Sequence, residues 1–145
     1  MDTIDNLNIL TMKRFCGEEH YPLQSAVWSI WHDDLVIEMN FEEGIDLHED
    51  TAYLEQEPSW ELSFPLTDET ALHAGAIFEN KENEDNGANF YYCEHNLTYD
   101  NRLEILERDG DKLLVRMTGI CCDVNYYDGS KGDDELEIIA WVDKE

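Results

Sequence analysis

The chain has 145 residues, with 35 acids against 9 Lys and Arg and a formal net charge of -26. That balance excludes direct nucleic-acid binding, because neutralising phosphates takes surface cations and this surface repels a polyanion. The length fits one domain, residues 1-145, and a hydrophobic content of 42% with 11% aromatics predicts a packed core rather than disorder.

The N-terminal stretch MDTIDNLNIL holds two acids and no positively charged n-region, and no apolar run reaches the roughly 18 residues of a membrane span. A cytoplasmic protein without a membrane partner is the expectation. The four cysteines, Cys16, Cys93, Cys121 and Cys122, then read as buried free thiols, and the Asn96-Leu97-Thr98 sequon as coincidental.

ILTMKRF, residues 9 to 15, predicts a first strand that ends in a turn from Cys16 to Glu19 and a loop around Pro22. Ser25 to Phe41 predicts a hairpin, with Leu35, Ile37, Met39 and Phe41 on one face of the second strand and a tight turn at His32-Asp33-Asp34. Bulk on both faces makes it a central pair. LHEDTAYLEQEP fits either a short helix or a bent edge strand, and we expect the strand; Trp60 to Phe64 alternates as another, ending at Pro65. Thr67 is placed to cap a short helix, with Asp68 and Glu69 in its first turn and Gly75 just past its end.

Ala76 to Phe78 begins a further strand before an exposed polar loop, ENKENEDNGAN, whose Asn86-Gly87 is a strong turn pair. Phe90 to Cys93 is strand-like. RLEILERDGDKLLVRMTG, Arg102 to Gly119, is the clearest hairpin: Leu103 and Ile105 alternate before Asp109-Gly110, and Leu113, Val115 and Met117 after it, which predicts a type I′ turn at that dipeptide. CCDVNYY then runs into a loop, and ELEIIAWVD closes the chain as a strand. Eight or nine short strands with one short helix describe a mainly β protein, an antiparallel β-sandwich or partly open barrel, with an α+β sheet as the alternative.

Several residue patterns invite a chemical reading. Asp46, His48 and Asp50 alternate, so on a strand all three point one way, as a divalent-metal site would require. In so acidic a chain such spacing arises by chance, and solvated side chains are the expectation. Asp123 to Asp134 resembles a calcium loop but fails the EF-hand register at positions five, six and twelve. Cys93-Glu94-His95 puts a thiol and an imidazole close together, but adjacent strand positions diverge and no Gly-rich turn or cationic group is near to stabilise a thiolate, so a packed core thiol is the expectation. Cys121-Cys122 lacks zinc or redox spacing. The pairs Glu18-Glu19, Asp33-Asp34 and Glu42-Glu43 would suit glycoside hydrolysis only if folding brought two carboxylates together across a cleft. No phosphate loop, nucleophile elbow or zinc-protease motif is present, so no cofactor, metal or catalytic residue is assigned. Trp28 and Trp31, Tyr91-Tyr92 and Tyr126-Tyr127 are candidates for sugar stacking, with core packing as the expected role.

The distribution of charge says more than its size. No Lys or Arg lies between Phe15 and Asn80, an interval holding sixteen acids that cannot all be paired locally. A basic protein partner is the complementary expectation: an acidic protein-binding domain, such as an immunity-type inhibitor that plugs a cationic toxin's active site, or a nucleic-acid mimic. A carbohydrate or small-ligand β module and an enzyme are the alternatives, and a halophile's hydrated surface would share the charge. The expected contact surface is Asp33, Asp34, Glu38, Glu42 and Glu43.

Overall fold

The computed structural model describes residues 7–52, 57–80, 88–126 and 128–145. Most of the polar tract after Asn80, the Asn86-Gly87 pair and Tyr127 lie outside the described residues. The chain forms β1 (Ile9–Arg14), β2 (Gly17–Trp31), β3 (Asp34–Phe41), a one-turn helix α1 (Glu49–Ala52), β4 (Ser59–Pro65), β5 (Ile77–Asn80), β6 (Asn89–Tyr92), β7 (Glu94–Leu97), β8 (Tyr99–Asp109), β9 (Lys112–Cys121) and β10 (Asp134–Lys144). The ten strands make one sheet in the order β5-β8-β9-β10-β1-β2-β3-β4-β6-β7, not closed into a barrel.

The long strand β2 gives the sheet its two wings. Its first half pairs with β1, from Arg14↔Gly17 to Ile9↔Pro22. Its second half pairs with β3 after a bulge between Leu23 and Ser25. The end of β10 also runs parallel to it, with Asp143 opposite Val27. Pro22, expected in a loop, instead sits in the strand just before the bulge. Such a site suits a residue that donates nothing to a ladder, since pairing is already interrupted there.

The wings face each other across the core. Trp28 Nε1 on β2 donates to the Asp111 carbonyl at 2.8 Å, beyond the end of β8. Phe64 on β4 meets Phe78 on β5 at 6.0 Å between centroids. A Cβ at Gly119 would come within 2.9 Å of Trp60 Cζ2 and 2.5 Å of Asn101 Oδ1, so close approach of the wings requires glycine there.

Period-two patterning holds along every long strand. Leu35, Ile37, Met39 and Phe41 are buried from β3, Leu103 and Ile105 from β8, Leu113, Val115 and Met117 from β9, and Leu136, Ile138, Ala140 and Val142 from β10. Each large aliphatic taken fully out of water contributes about 1.5–3 kcal/mol. β3 lies between β2 and β4, the central position its apolar content predicts.

Local expectations fail where polar side chains, rather than apolar period, decide the backbone. Glu49–Ala52 is helical and not a strand: Thr51 and Ala52 N–H both reach the His48 carbonyl, while the Thr51 hydroxyl gives its one proton to Glu19 at 2.7 Å. Tyr53 to Gln56, the rest of the expected strand, lie outside the described residues. The helix expected after Thr67 is a single 3₁₀ turn, Glu69–Ala71, capped by Asp68, whose side chain accepts from Thr70 N–H.

The type I′ turn expected at Asp109-Gly110 occurs instead in the other tight hairpin. In the Arg102 to Gly119 hairpin Asp109 pairs with Lys112, so the loop is Gly110-Asp111, one residue later than the sequence suggests. Gly110 has φ 62° and Asp111 is not in the positive-φ region, the pattern of type II′ rather than type I′. The double positive φ of type I′ occurs at His32 (50°) and Asp33 (65°), between paired Trp31 and Asp34. Neither residue is glycine.

These backbones set opposite responses to substitution. Asp33→Gly should stabilise by up to about 1 kcal/mol, because a side chain in this region costs about 1–2 kcal/mol and glycine's chain entropy returns part of the gain. Gly110→Val, with open space around its Cβ but a forbidden φ, should destabilise by about 1–3 kcal/mol. Thermal melts of the two variants check both signs.

Candidate functional site

Arg14 follows Leu10 and Met12 on the inward face of β1, so period two carries a guanidinium into the interior. All five of its N–H groups are used. Nε and Nη2 donate to Asp123 at 2.8 and 2.9 Å, Nη1 and Nη2 to Asp50 at 2.8 and 2.9 Å, and Nη1 to Glu19 at 3.1 Å. The side chains of Arg14, Glu19 and Asp123 are fully buried. Burial works against the Arg14 charge, but the hydrogen bonds to Asp50 and Asp123 and the charges of Asp123 and Glu19 outweigh it and hold its pKa above the ordinary value.

Each carboxylate in this cluster has further donors. Glu19 takes Thr51 Oγ1 at 2.7 Å, His48 N–H at 2.9 Å and the Tyr21 hydroxyl at 2.7 Å, with His48 Nδ1 at 2.9 Å. Burial raises its pKa, yet these hydrogen bonds prevail and the net direction is down. The Arg14 hydrogen bond holds Asp50 below the usual carboxylate range. Asp123 is also lowered: Arg14, Asp134 and Asn125 N–H together overcome its burial. Asp134 moves the other way, pushed up to about 9 by burial, by its hydrogen bond to Asp123 and by the Asp123 charge. At neutral pH it is therefore a carboxylic acid, accepting from Val124 N–H at 3.1 Å and donating a hydrogen bond to the Asp123 carboxylate.

This cluster absorbs both candidate cation sites. Asp46, His48 and Asp50 do not share a face, because they lie on a loop and helix rather than a strand. Asp46 binds His20 through backbone and ring at 2.6 Å each, His48 turns to Glu19, and Asp50 to Arg14. In the loop from Asp123 to Asp134, both terminal acids point inward. Among the described residues no group of three His, Cys, Asp or Glu is placed to hold a metal ion.

The remaining patterns also resolve. Cys93 occupies the turn between β6 and β7 with φ 64°, and His95 lies against Tyr91, with Nδ1 at 3.3 Å from Asn89 Oδ1. All four cysteines are free; Cys121 is buried, Cys93 and Cys122 are partly buried, and Cys16, expected inside, is exposed at the β1–β2 turn. The Asn96 side chain is buried and donates to the Cys122 carbonyl at 3.2 Å. Among the aromatic candidates, Trp28 and Tyr92 are core, Tyr91 and Tyr126 are partly covered, and Trp31 is 66% exposed.

The acids chosen from the cation-free interval divide by position. Asp34 and Glu38 alternate onto the outward face of β3, Asp33 sits in the turn, and Glu42 and Glu43 follow the strand's far end, about 25 Å away at 3.3 Å per residue. The five therefore span the strand's length rather than one compact patch. Among the described residues none of them is ion-paired, whereas Glu19 and Asp50 pair with Arg14 and Glu69 with both Arg108 and Lys144. The sequence reading missed Glu61. It stands directly opposite Glu38 across β3 and β4, and burial together with the Glu38 charge raises its pKa. Period two from the buried Trp60 and Leu62 signals that Glu61 faces outward. Ser29, Trp31, Val36, Glu38, Glu61 and Glu145 line a groove of about 300 Å³ on this face.

Compared with protein-family models, curated proteins and solved structures, the chain matches none. Among the described residues no helix is long and apolar enough to cross a membrane.

The ionisation states of the cluster predict how stability depends on pH. Asp134 has its pKa raised from about 3.9 unfolded to about 9 folded, so it costs the fold progressively more as pH rises through that window. Glu19, Asp50 and Asp123 are lowered, so their contribution is present above about pH 4 and lost as pH falls below it. Asp134→Asn keeps an acceptor for Val124 and a donor for Asp123 without the titration. Its melting temperature should exceed that of the wild type at pH 8, with the gap closing near pH 4. Arg14→Met, which leaves buried carboxylates without their cation, should cost about 3–5 kcal/mol at neutral pH.

Proposed function

We propose that the protein is an acidic binding domain that engages a basic protein through the outward face of β2, β3 and β4. One observation carries this reading: these three hydrogen-bonded strands contain no Lys or Arg, and they set Glu38 directly opposite Glu61 with Asp34 on the same face. Like charges directly opposite each other in a sheet are destabilising, so the arrangement costs the isolated protein stability that a partner's cation would restore. The strands hold the carboxylates in place, which limits the ordering cost of association, and a net charge of -26 steers a basic partner toward the complex. The narrowest form of the reading is an inhibitor of a cationic active site, of immunity type or as a nucleic-acid mimic, and the acidity of the face is its support.

A carbohydrate-binding module is the second reading. It is favoured by Trp31, an exposed indole beside a carboxyl pair.

The test is kinetic, against a basic protein recovered from lysate of the source cell at low salt. Asp33 is unsuited to substitution by lysine because of its positive φ, so Asp34→Lys/Glu38→Lys is compared with Glu107→Lys/Asp109→Lys on the other wing. The first pair should slow association about 10-fold or more and flatten its salt dependence, with dissociation little changed. Equal losses from both pairs would show that only net charge matters. Recovery solely of acidic proteins or polysaccharides would remove the reading.

A further inference from the structure

We propose that the groove beside Trp31 receives a guanidinium group, so that the basic partner is held by an arginine side chain and not by undirected charge. This rests on the acidic-face reading and adds to it the chemical identity of the contacting group.

The outward rows of the sheet define the groove. Trp31 lies opposite Asp34, Ser29 opposite Val36 and Ser63, and Val27 opposite Glu38 and Glu61. Rows on one face are spaced by two residues, roughly 6.6 Å along the strand. The middle row is therefore a shallow floor of two serines and a valine, with an indole at one end and two carboxylates at the other. An arginine side chain has the matching order: an apolar stem for Val36 and Trp31, then a planar fork of donors for Glu38 and Glu61. The carboxylates stand in register, so one fork can serve both and offset their repulsion. A guanidinium is also more weakly hydrated than an ammonium and its planar fork can bond two carboxylates at once, so it is the cation that loses less on entering such a groove.

The molecule builds the same combination once from its own residues. Arg108 lies over the Trp28 ring, with Cζ 6.0 Å from the centroid, and binds Glu69 at 2.9 Å; Lys144 shares both partners. There the indole, the carboxylate and the cation all come from this chain. At Trp31 the indole and two carboxylates recur, and among the described residues no Lys or Arg pairs with Glu38 or Glu61. The other tryptophans do not offer this surface: Trp28 and Trp60 are buried, and the half-buried Trp141 lines a groove with Asp109 and Asp143 that already holds a cation of this chain, Lys112.

The experiment measures binding of tetra-arginine amide and tetra-lysine amide to the full chain by calorimetry, at low and physiological salt. The variants are Trp31→Ala and Glu61→Gln. Trp31 is exposed, and Glu61→Gln removes a repulsion, so the second variant retains the fold even if the first does not. Tetra-arginine should bind at least about 10-fold tighter than tetra-lysine, and each variant should erase that preference while leaving tetra-lysine affinity within about twofold. Equal affinities for the two peptides, unaffected by either variant, would overturn the guanidinium site and leave the acidic-face reading standing. Failure of both peptides to bind at low salt would overturn both. Displacement of tetra-arginine by calcium, but not by sodium at matched ionic strength, would overturn the guanidinium site in favour of a cation site.

Discussion

A single guanidinium fixes one end of this fold. Arg14 reaches Glu19 from β2, Asp50 from α1 and Asp123 from the loop after β9, while Asp123 holds Asp134 at the start of β10. Four segments, β1, β2, α1 and the loop after β9, therefore meet at one cation, and β10 joins them through Asp123. A buried cluster of this kind is a poor source of net stability, because desolvating each ion offsets most of the attraction. Its effect is specification. Any register shift in β1 that turned Arg14 outward would leave two buried carboxylates, Glu19 and Asp123, and the half-buried Asp50 without a counter-ion, an error far costlier than an exposed leucine. The neutral Asp134 belongs to the same constraint, since one guanidinium and a few N–H donors cannot support three buried anions beside the half-buried Asp50. One carboxyl must keep its proton.

The second constraint is the length of β2. With 15 residues it belongs to both wings, and the bulge near Leu23 lets the strand change direction without ending. The wings therefore fold toward each other as parts of one sheet and share the core built from Trp28, Trp60, Leu103 and Val115. The inward half of each strand is spoken for by that core, so the chain's acidity must appear on the outer faces. β8, β9, β10 and β1 can pair some of it, as Arg116 does with Glu137 and Arg102 with Glu79 and Glu104. β2, β3 and β4 have no such means.

Period-two patterning made the strands and their faces legible in the sequence, because the core is apolar and alternation reports it directly. The central hairpin and the buried face of its second strand were legible for that reason, although β2 starts at Gly17 rather than Ser25 and Asp34 belongs to β3 rather than to the turn. The short helix at Glu49–Ala52 could not, because its backbone is set by Thr51 and His48 hydrogen bonds and by Asp50 reaching Arg14, none of which is a local apolar signal. The turn at the Arg102 to Gly119 hairpin is not legible in the same way, because Asp109-Gly110 has the composition of type I′ while the strand register places the loop one residue later. The buried charge cluster did leave a trace. Arg14 is in phase with Leu10 and Met12, Glu19 with Tyr21, and Asp134 with Leu136 and Ile138. Ionisable residues on an inward phase are the signal that composition and net charge conceal.

The same phase argument separates the acids by role. Glu19, Asp123 and Asp134 fall inward, where the fold either supplies a cation or withholds ionisation. Asp34, Glu38 and Glu61 fall outward on strands that provide neither, and Glu38 and Glu61 are held in register by pairing they cannot escape without breaking the ladder. A flexible loop could disperse such a pair, since two side chains on mobile backbone separate at little cost. A central strand cannot. The facing of Glu38 and Glu61 is therefore a fixed property of the folded state, burial and the Glu38 charge together lift the Glu61 pKa, and a cation brought to that face relieves the repulsion.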